Sequence, residues 1–426
     1  MTHDHLTPPR LGPLRATGKP EETRRGAGTR RPRRAAAVVA AALLLVATGC
    51  SEGGGGGEDK DSTEPRSTRW RYDYVTPSHD ASLFAIAAAS KDEGWALGRE
   101  ALGGDTATYI LLRRHGATWR RAEMPLRPEN GAELSNTQLA ASGPDNVWLF
   151  ASQIEIDGVE ARNKPQAVRW DGHRWRKTSV DFGVQDVAVL APDDVWALDS
   201  GADGPVARHW DGKRWTRHLL PDQANALSAS GPDDVWAAGY GEDQPAIMRF
   251  DGKKWRSATT PEYRSPKPKP DENASLTEIV AIDRDDAWAF GSHSYTVDED
   301  TAETHDESFA LHWDGKRWRK APKALDSSVE IHPYPAMSAT QDGAGGFVLG
   351  GRQHRTADGT LHVIKEPKPV ADRSETSNTA ARSQHFQLSD LQLVPGTHEI
   401  WAVGYAESSA DADYMRGVIA AYSTGG

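Results

Sequence analysis

The densest cluster of groups capable of chemistry in this sequence is Asp298, Glu299, Asp300, Glu303, His305, Asp306 and Glu307. Clustered carboxylates are hard oxygen ligands and could hold Ca²⁺, but their spacing is not that of an EF-hand loop. We read the cluster as an acidic, solvated candidate binding loop and assign no metal to it. His332, His354 and His362 form no recognisable ligand spacing. Cys50 is the only cysteine, which excludes intramolecular disulfides, cysteine-based metal sites and Cys–Cys redox chemistry. Serine nucleophile elbows, HExxH and phosphate-binding loops are not found either. No catalytic residue and no cofactor is expected from these patterns.

Cys50 itself lies at a boundary. Arg30, Arg31, Arg33 and Arg34 precede an apolar run from Ala35 to Thr48, the layout of a secretory signal. The run is shorter than the roughly 20 residues of a membrane span. Ala47-Thr48-Gly49-Cys50 resembles the lipobox of bacterial lipoproteins, and that resemblance implies cleavage before Cys50 and acylation of it. An ordinary signal peptide with an incidental cysteine is the alternative, and Thr29-Arg30-Arg31 leaves the twin-arginine route open beside the general one. The Gly-rich and acidic stretch after Cys50 reads as a flexible tether. Residues 1–49 are thus a signal peptide, 50–67 a lipidated cysteine with its linker, and 68–426 the folded domain.

Charge narrows the partners. Residues 1–49 carry a net of +6, which against −11 for the whole chain leaves −17 for residues 50–426. So acidic a body argues against nucleic acid, whose binding draws on Lys and Arg.

The elements that would position any site come from a repeat. Tryptophan, at 15, outnumbers tyrosine and phenylalanine, and every tryptophan lies in one of two recurring phrases or in one further strand. The first phrase is "DVWA-x-G", clearest at Asp194–Ala197, Asp234–Gly239 and Asp286–Gly291. Its anchor aromatics are Trp95, Trp148, Trp196, Trp236, Trp288, Phe347 and Trp401, which makes seven copies. The second phrase is WDGKRW at Trp210–Trp215 and Trp313–Trp318, with variants at Trp170–Trp175, Phe250–Trp255 and, weaker, Arg114–Trp119. Asp-Gly between two strand-forming runs is a hairpin signal, because glycine supplies the positive φ of a tight turn at little cost.

Each copy therefore parses as four short strands, and seven such units predict an all-β, seven-bladed β-propeller. The seventh copy ends at Tyr422 without its closing Trp strand, while Thr68-Arg69-Trp70-Arg71-Tyr72 precedes the first copy. This displacement predicts a ring closed by pairing the amino-terminal strand into the last blade. The recurring tryptophans are then core residues rather than a ligand-stacking set.

The two phrases resemble the Trp-rich propeller repeats of bacterial lipoproteins and other secreted proteins, akin to kelch and Asp-box blades, over about residues 68–426. Gly-x-x-Trp, as at Gly172/Trp175 and Gly315/Trp318, matches the end of an Asp-box, although its Ser-x-Asp opening is absent. Galactose-oxidase-like kelch chemistry needs a cysteine beside copper, and the only cysteine lies outside the blades.

Two faces follow from the four-strand unit. Asp193-Asp194, Asp233-Asp234 and Asp285-Asp286 fall in the first turn of their blades, and His173-Arg174, Lys213-Arg214, Lys253-Lys254 and Lys316-Arg317 in the third. Both turns share one face, where these charges are expected to alternate as exposed ion pairs. The opposite face is expected to carry long loops at 153–165, 292–307, 352–360 and 407–415. The expected function is a monomeric, lipid-anchored scaffold on the outer face of the cell membrane that binds a protein or glycan through the long-loop face. The alternative is a hydrolase or lyase with carboxylates at the central channel. Carboxylates from several blades with shifted pKa values would favour the enzyme, and an exposed aromatic patch at the channel mouth the scaffold.

Overall fold

The computed structural model describes residues 65–101, 107–126, 128, 133–157, 160–201, 204–267, 269–298, 303–325, 338–370, 384–408 and 411–425. The signal, Cys50 and most of the tether lie outside the described residues. The chain from residue 61 onward forms one compact unit. It consists of seven four-stranded antiparallel sheets arranged as blades of a β-propeller.

Six blades are simple meanders whose strands follow one another in sequence. The seventh combines strands Gln384–Leu393, Glu399–Ser408 and Asp411–Ser423 with the amino-terminal strand Arg71–Val75. In that pairing Arg71 faces Ala421 and Val75 faces Val418. Trp70 is 1 % exposed, packs on Tyr422 with ring centroids 5.4 Å apart, and donates its indole N–H to the Gly351 carbonyl at 2.6 Å. The expected closure is the observed one.

The repeat phrases have local physical causes. At Asp171-Gly172 the aspartate Oδ1 accepts the backbone N–H groups of His173 and Arg174, at 3.1 and 2.9 Å, and Gly172 takes φ +88°. Asp211, Asp251 and Asp314 cap their turns the same way. The turn selects both letters: an acceptor that reaches the next two amides, then a residue free to take positive φ. The glycine ending "DVWA-x-G" answers a different demand. At Gly291 a Cβ would lie 1.9 Å from the Ser275 carbonyl oxygen, because the inner strand bulges between Leu276 and Glu278 and presses on its neighbour.

The tryptophans interlock neighbouring blades. Trp95 of blade one meets Trp170 and Trp175 of blade two, with centroids 5.1 and 5.0 Å apart. Trp148 meets Trp210 and Trp215, Trp196 meets Phe250 and Trp255, and Trp236 meets Trp313 and Trp318. Trp401 of blade seven reaches Trp119 of blade one at 5.5 Å and completes the circuit. Each contact contributes about 0.5–1.5 kcal/mol beyond the area it buries, so stability is distributed around the ring.

Three expectations need correction. The turn charges do not alternate all round the rim as ion pairs, although Asp233 does meet Arg284 of the next blade's first turn at 2.6 Å. Asp194, Asp234 and Asp286 instead bind third-strand side chains of their own blades: His209 at 2.9 Å, Arg249 at 2.5 Å and His312 at 3.0 Å. Those side chains lie over the anchor tryptophans, His312 with its ring stacked 4.1 Å from Trp288 and the Arg249 guanidinium 4.5 Å from the Trp236 ring centre. The short reach from a first-turn carboxylate to strand three favours this pairing over one across the rim.

The expected long loops in blades two, five and seven are strand extensions. Pairing runs out to Asp157–Glu160, Asp298–Glu303 and Ser408–Asp411. Polar side chains do not prevent this, because the ladder needs only backbone groups. In blade six, residues 352–360 do not form a loop on that face. Gln353–Arg355 is the third strand, and the turn that follows it belongs to the opposite face.

Candidate functional site

The first strands of all seven blades line a central channel of about 510 Å³. Three carboxylates stand on it: Asp186 of blade three, Glu278 of blade five and Asp390 of blade seven. Each sits at a bulge of its inner strand. The bulge turns a side chain from the sheet face towards the next blade.

Each carboxylate spans a seam. Asp186 accepts the N–H of Val187 at 2.8 Å and that of Leu227, in blade four, at 2.6 Å. Glu278 accepts Ile279 N–H at 2.9 Å and Ala339 N–H of blade six at 3.4 Å. Asp390 accepts Leu391 N–H at 2.7 Å and Ile86 N–H of blade one at 2.9 Å. Gln138 and Asn225 donate to backbone carbonyls of the next blade's inner strand, while Ser228, Thr340 and Gln392 accept its backbone amides. Together they form a belt of clasps around the channel.

Confinement controls the ionisation of the three acids. Their side chains are half-buried along the channel wall, and burial is the governing effect. Burial pushes Asp186 up to about 6 and Asp390 up to about 7. It also raises Glu278 well above the usual carboxyl range, with the nearby Asp186 charge adding to the effect. No Lys, Arg or His lines the channel among the described residues. Carboxylates from separate blades with raised pKa values are what catalysis would need. However, both oxygens of each acid are engaged by backbone amides, which is what a clasp needs.

The acidic loop is the tip of the blade-five hairpin. Asp298, Glu303, His305, Asp306 and Glu307 lie along it, while Glu299 and Asp300 fall outside the described residues. His305 stacks on Tyr295 at 4.7 Å, and Lys269 Nζ lies 4.9 Å from the Tyr295 ring centre. No group of three potential ligands is arranged to hold a metal ion among the described residues. His354 is fully buried between Asp342 and Tyr422, and His362 lies beside Arg66. His332 lies outside the described residues. No exposed aromatic patch marks the channel mouth among the described residues: Leu219, Tyr240, Val297 and Val363, the exposed large apolar residues, come from separate blades.

A feature the sequence did not announce lies on the side of the ring. Between the outer parts of blades one and two runs a groove of about 1060 Å³. Trp95 and Trp170 lie at its floor, with the Arg113 guanidinium 5.0 and 4.6 Å from their ring centres. Half-buried Trp175 forms one wall, beside Arg174, Lys177, Thr178 and Ser179. The segment around Met124 and Leu126 forms the other.

Comparable seams are plugged by connecting segments. Phe182 packs against Trp215 at 5.3 Å, Leu220 against Phe250 and Trp255, and Tyr263 stacks on Phe309 at 3.9 Å. At the first seam Leu126 is buried, and among the described residues the space outside it stays open. An aromatic floor with polar, cationic walls can hold a ligand that has both ring faces and charge.

Neither a family model nor a curated protein matches the chain. Solved structures similar to it include an alpha-L-arabinanase of Penicillium chrysogenum, at 11 % identity over 84 % of this chain and 99 % of that one, TM-score 0.42. The WD40 β-propeller domain of Doa1 is similar at 8 % identity over 83 % and 97 %, TM-score 0.42. A polysaccharide lyase acting on ulvan is similar at 8 % identity over 83 % and 96 %, TM-score 0.41. Similarity at this level carries nothing about ligand or activity.

Proposed function

We propose that this chain is a lipid-anchored, extracytoplasmic scaffold that acts as a monomer and binds a glycan or protein partner at the cell envelope. The observation that carries the reading is the groove between blades one and two, an aromatic-floored surface left open among the described residues where three neighbouring seams are plugged. In this reading Cys50 is the acylated residue, and the linker runs to residue 67. The acidic tip of the blade-five hairpin is a second contact surface, suited to a cationic partner.

The test is capture of envelope glycans and proteins by the full-length protein in detergent. Wild type is compared with Trp175→Leu and with a hairpin variant neutralised at Asp298, Glu303, Asp306 and Glu307. The scaffold reading expects a partner that is lost when Trp175 changes. Capture indifferent to both variants contradicts it.

A second reading, a hydrolase or lyase in the channel, draws on the raised carboxyl groups of Asp186, Glu278 and Asp390. It requires measurable glycan turnover that Glu278→Gln abolishes without lowering the melting temperature.

A further inference from the structure

The groove has a charge pattern unlike that of the chain. The full sequence carries −11, yet Arg113, Lys164, Arg174 and Lys177 face the groove against a single carboxylate, Glu123. Arg113 is matched by Glu93. Arg174 and Lys177 are exposed and have no carboxylate partner among the described residues; they flank the half-buried ring of Trp175. Thr178, Ser179 and Gln166 add hydroxyl and amide groups along the same wall.

On this surface an apolar ring face, uncompensated cations and short polar groups lie side by side. We infer that the groove between blades one and two takes an anionic glycan, a chain containing uronic acid residues. A uronic acid matches each part: its C–H face stacks on Trp175, its carboxylate meets Arg174 and Lys177, and its hydroxyls meet Thr178, Ser179 and Gln166. An acidic peptide would satisfy the cations but leave the hydroxyl and amide wall and the open ring face poorly used. The channel, lined by three acids and no cation among the described residues, offers the same ligand no counter-charge. The inference rests on the scaffold reading above and gives its ligand a chemical class.

Titration calorimetry of the full-length protein in detergent tests it, with tetragalacturonate as the probe. Neutral galactotetraose and tetraglutamate are the comparison ligands. Tetragalacturonate is expected to bind, to weaken as salt rises, and to lose about tenfold or more in affinity in R174E/K177E, whose exposed positions leave folding intact. Trp175→Leu should abolish binding with an unchanged circular dichroism spectrum.

Equal affinity for galactotetraose, or affinity unchanged by R174E/K177E, overturns the anionic class. Tighter binding of tetraglutamate overturns the glycan. In either case, binding that still depends on Trp175 leaves the scaffold standing. No Trp175-dependent binding of any of the three overturns the inference, and the scaffold is then judged by whether Trp175→Leu changes envelope capture.

Discussion

Replacing Asp390 by asparagine should make the propeller's stability less dependent on pH, with a sign fixed by the direction of its pKa shift. Asp390 moves from an ordinary 3.8 to about 7 in the folded ring. Between those values the folded state holds a proton that the unfolded chain has released. Stability from this group is therefore complete below pH 4 and is lost as pH rises through 7. Each pH unit in that window is worth about 1.4 kcal/mol, so going from pH 5 to pH 8 removes about 2–3 kcal/mol.

The substituted asparagine cannot ionise and contributes no such slope. It costs about 1–2 kcal/mol at pH 5, because its NH₂ replaces one oxygen that accepts Leu391 or Ile86 N–H. The gap between wild type and Asp390→Asn should thus shrink, and close or reverse, by pH 8. Urea unfolding followed by tryptophan fluorescence at pH 5, 6, 7 and 8 measures it. Taking the difference between the two proteins cancels titrations not coupled to Asp390, including His218 and His362, whose lowered values act in the opposite sense. Parallel curves, or a gap that widens with pH, would refute the placement of a confined, protonated Asp390 at the seam.

Trp70→Ala should cost about 3–5 kcal/mol, visible as a lower urea midpoint, because it empties a fully buried site and strands the Gly351 carbonyl. Gly291→Ala should cost about 1–3 kcal/mol by thermal melting, since its Cβ would meet the Ser275 oxygen. Gly143→Ala, whose Cβ would meet only Asp145 Oδ1 at 3.6 Å, should stay within about 0.5 kcal/mol. Cys50→Ser should move the protein from the detergent-rich to the aqueous phase in Triton partition, with unchanged melting; retention in the detergent phase would contradict acylation there.

The features legible in the sequence were those with local causes. Asp-Gly is demanded by its own turn, and the Trp phrases recur because every blade must cover its neighbour, so hairpins, blade number and the closing strand could be read directly. The channel acids were missed because no motif surrounds them. A signal existed: Asp186, Glu278 and Gln138 each stand ten residues before their anchor tryptophan, and Asp390 eleven before Trp401. Aligned on the tryptophans, these positions would have shown a recurring polar residue inside an apolar strand. The groove was not legible at all. Among the described residues, 123–126 leave room where Phe182, Leu220 and Tyr263 fill it elsewhere, and that depends on packing between segments distant in sequence. Blade six misled because its third turn, Ala357-Asp358-Gly359, keeps Asp-Gly but lacks flanking tryptophans.

Hydrogen exchange at Arg71–Val75 tests most directly whether the ring is locked by its own amino terminus. Amides of that strand paired with Val418–Ala421 should exchange as slowly as the central strands of blades two to five, opening only when the whole propeller opens. Exchange of these amides at the rate of a free peptide, while the other blades stay protected, would contradict the closure.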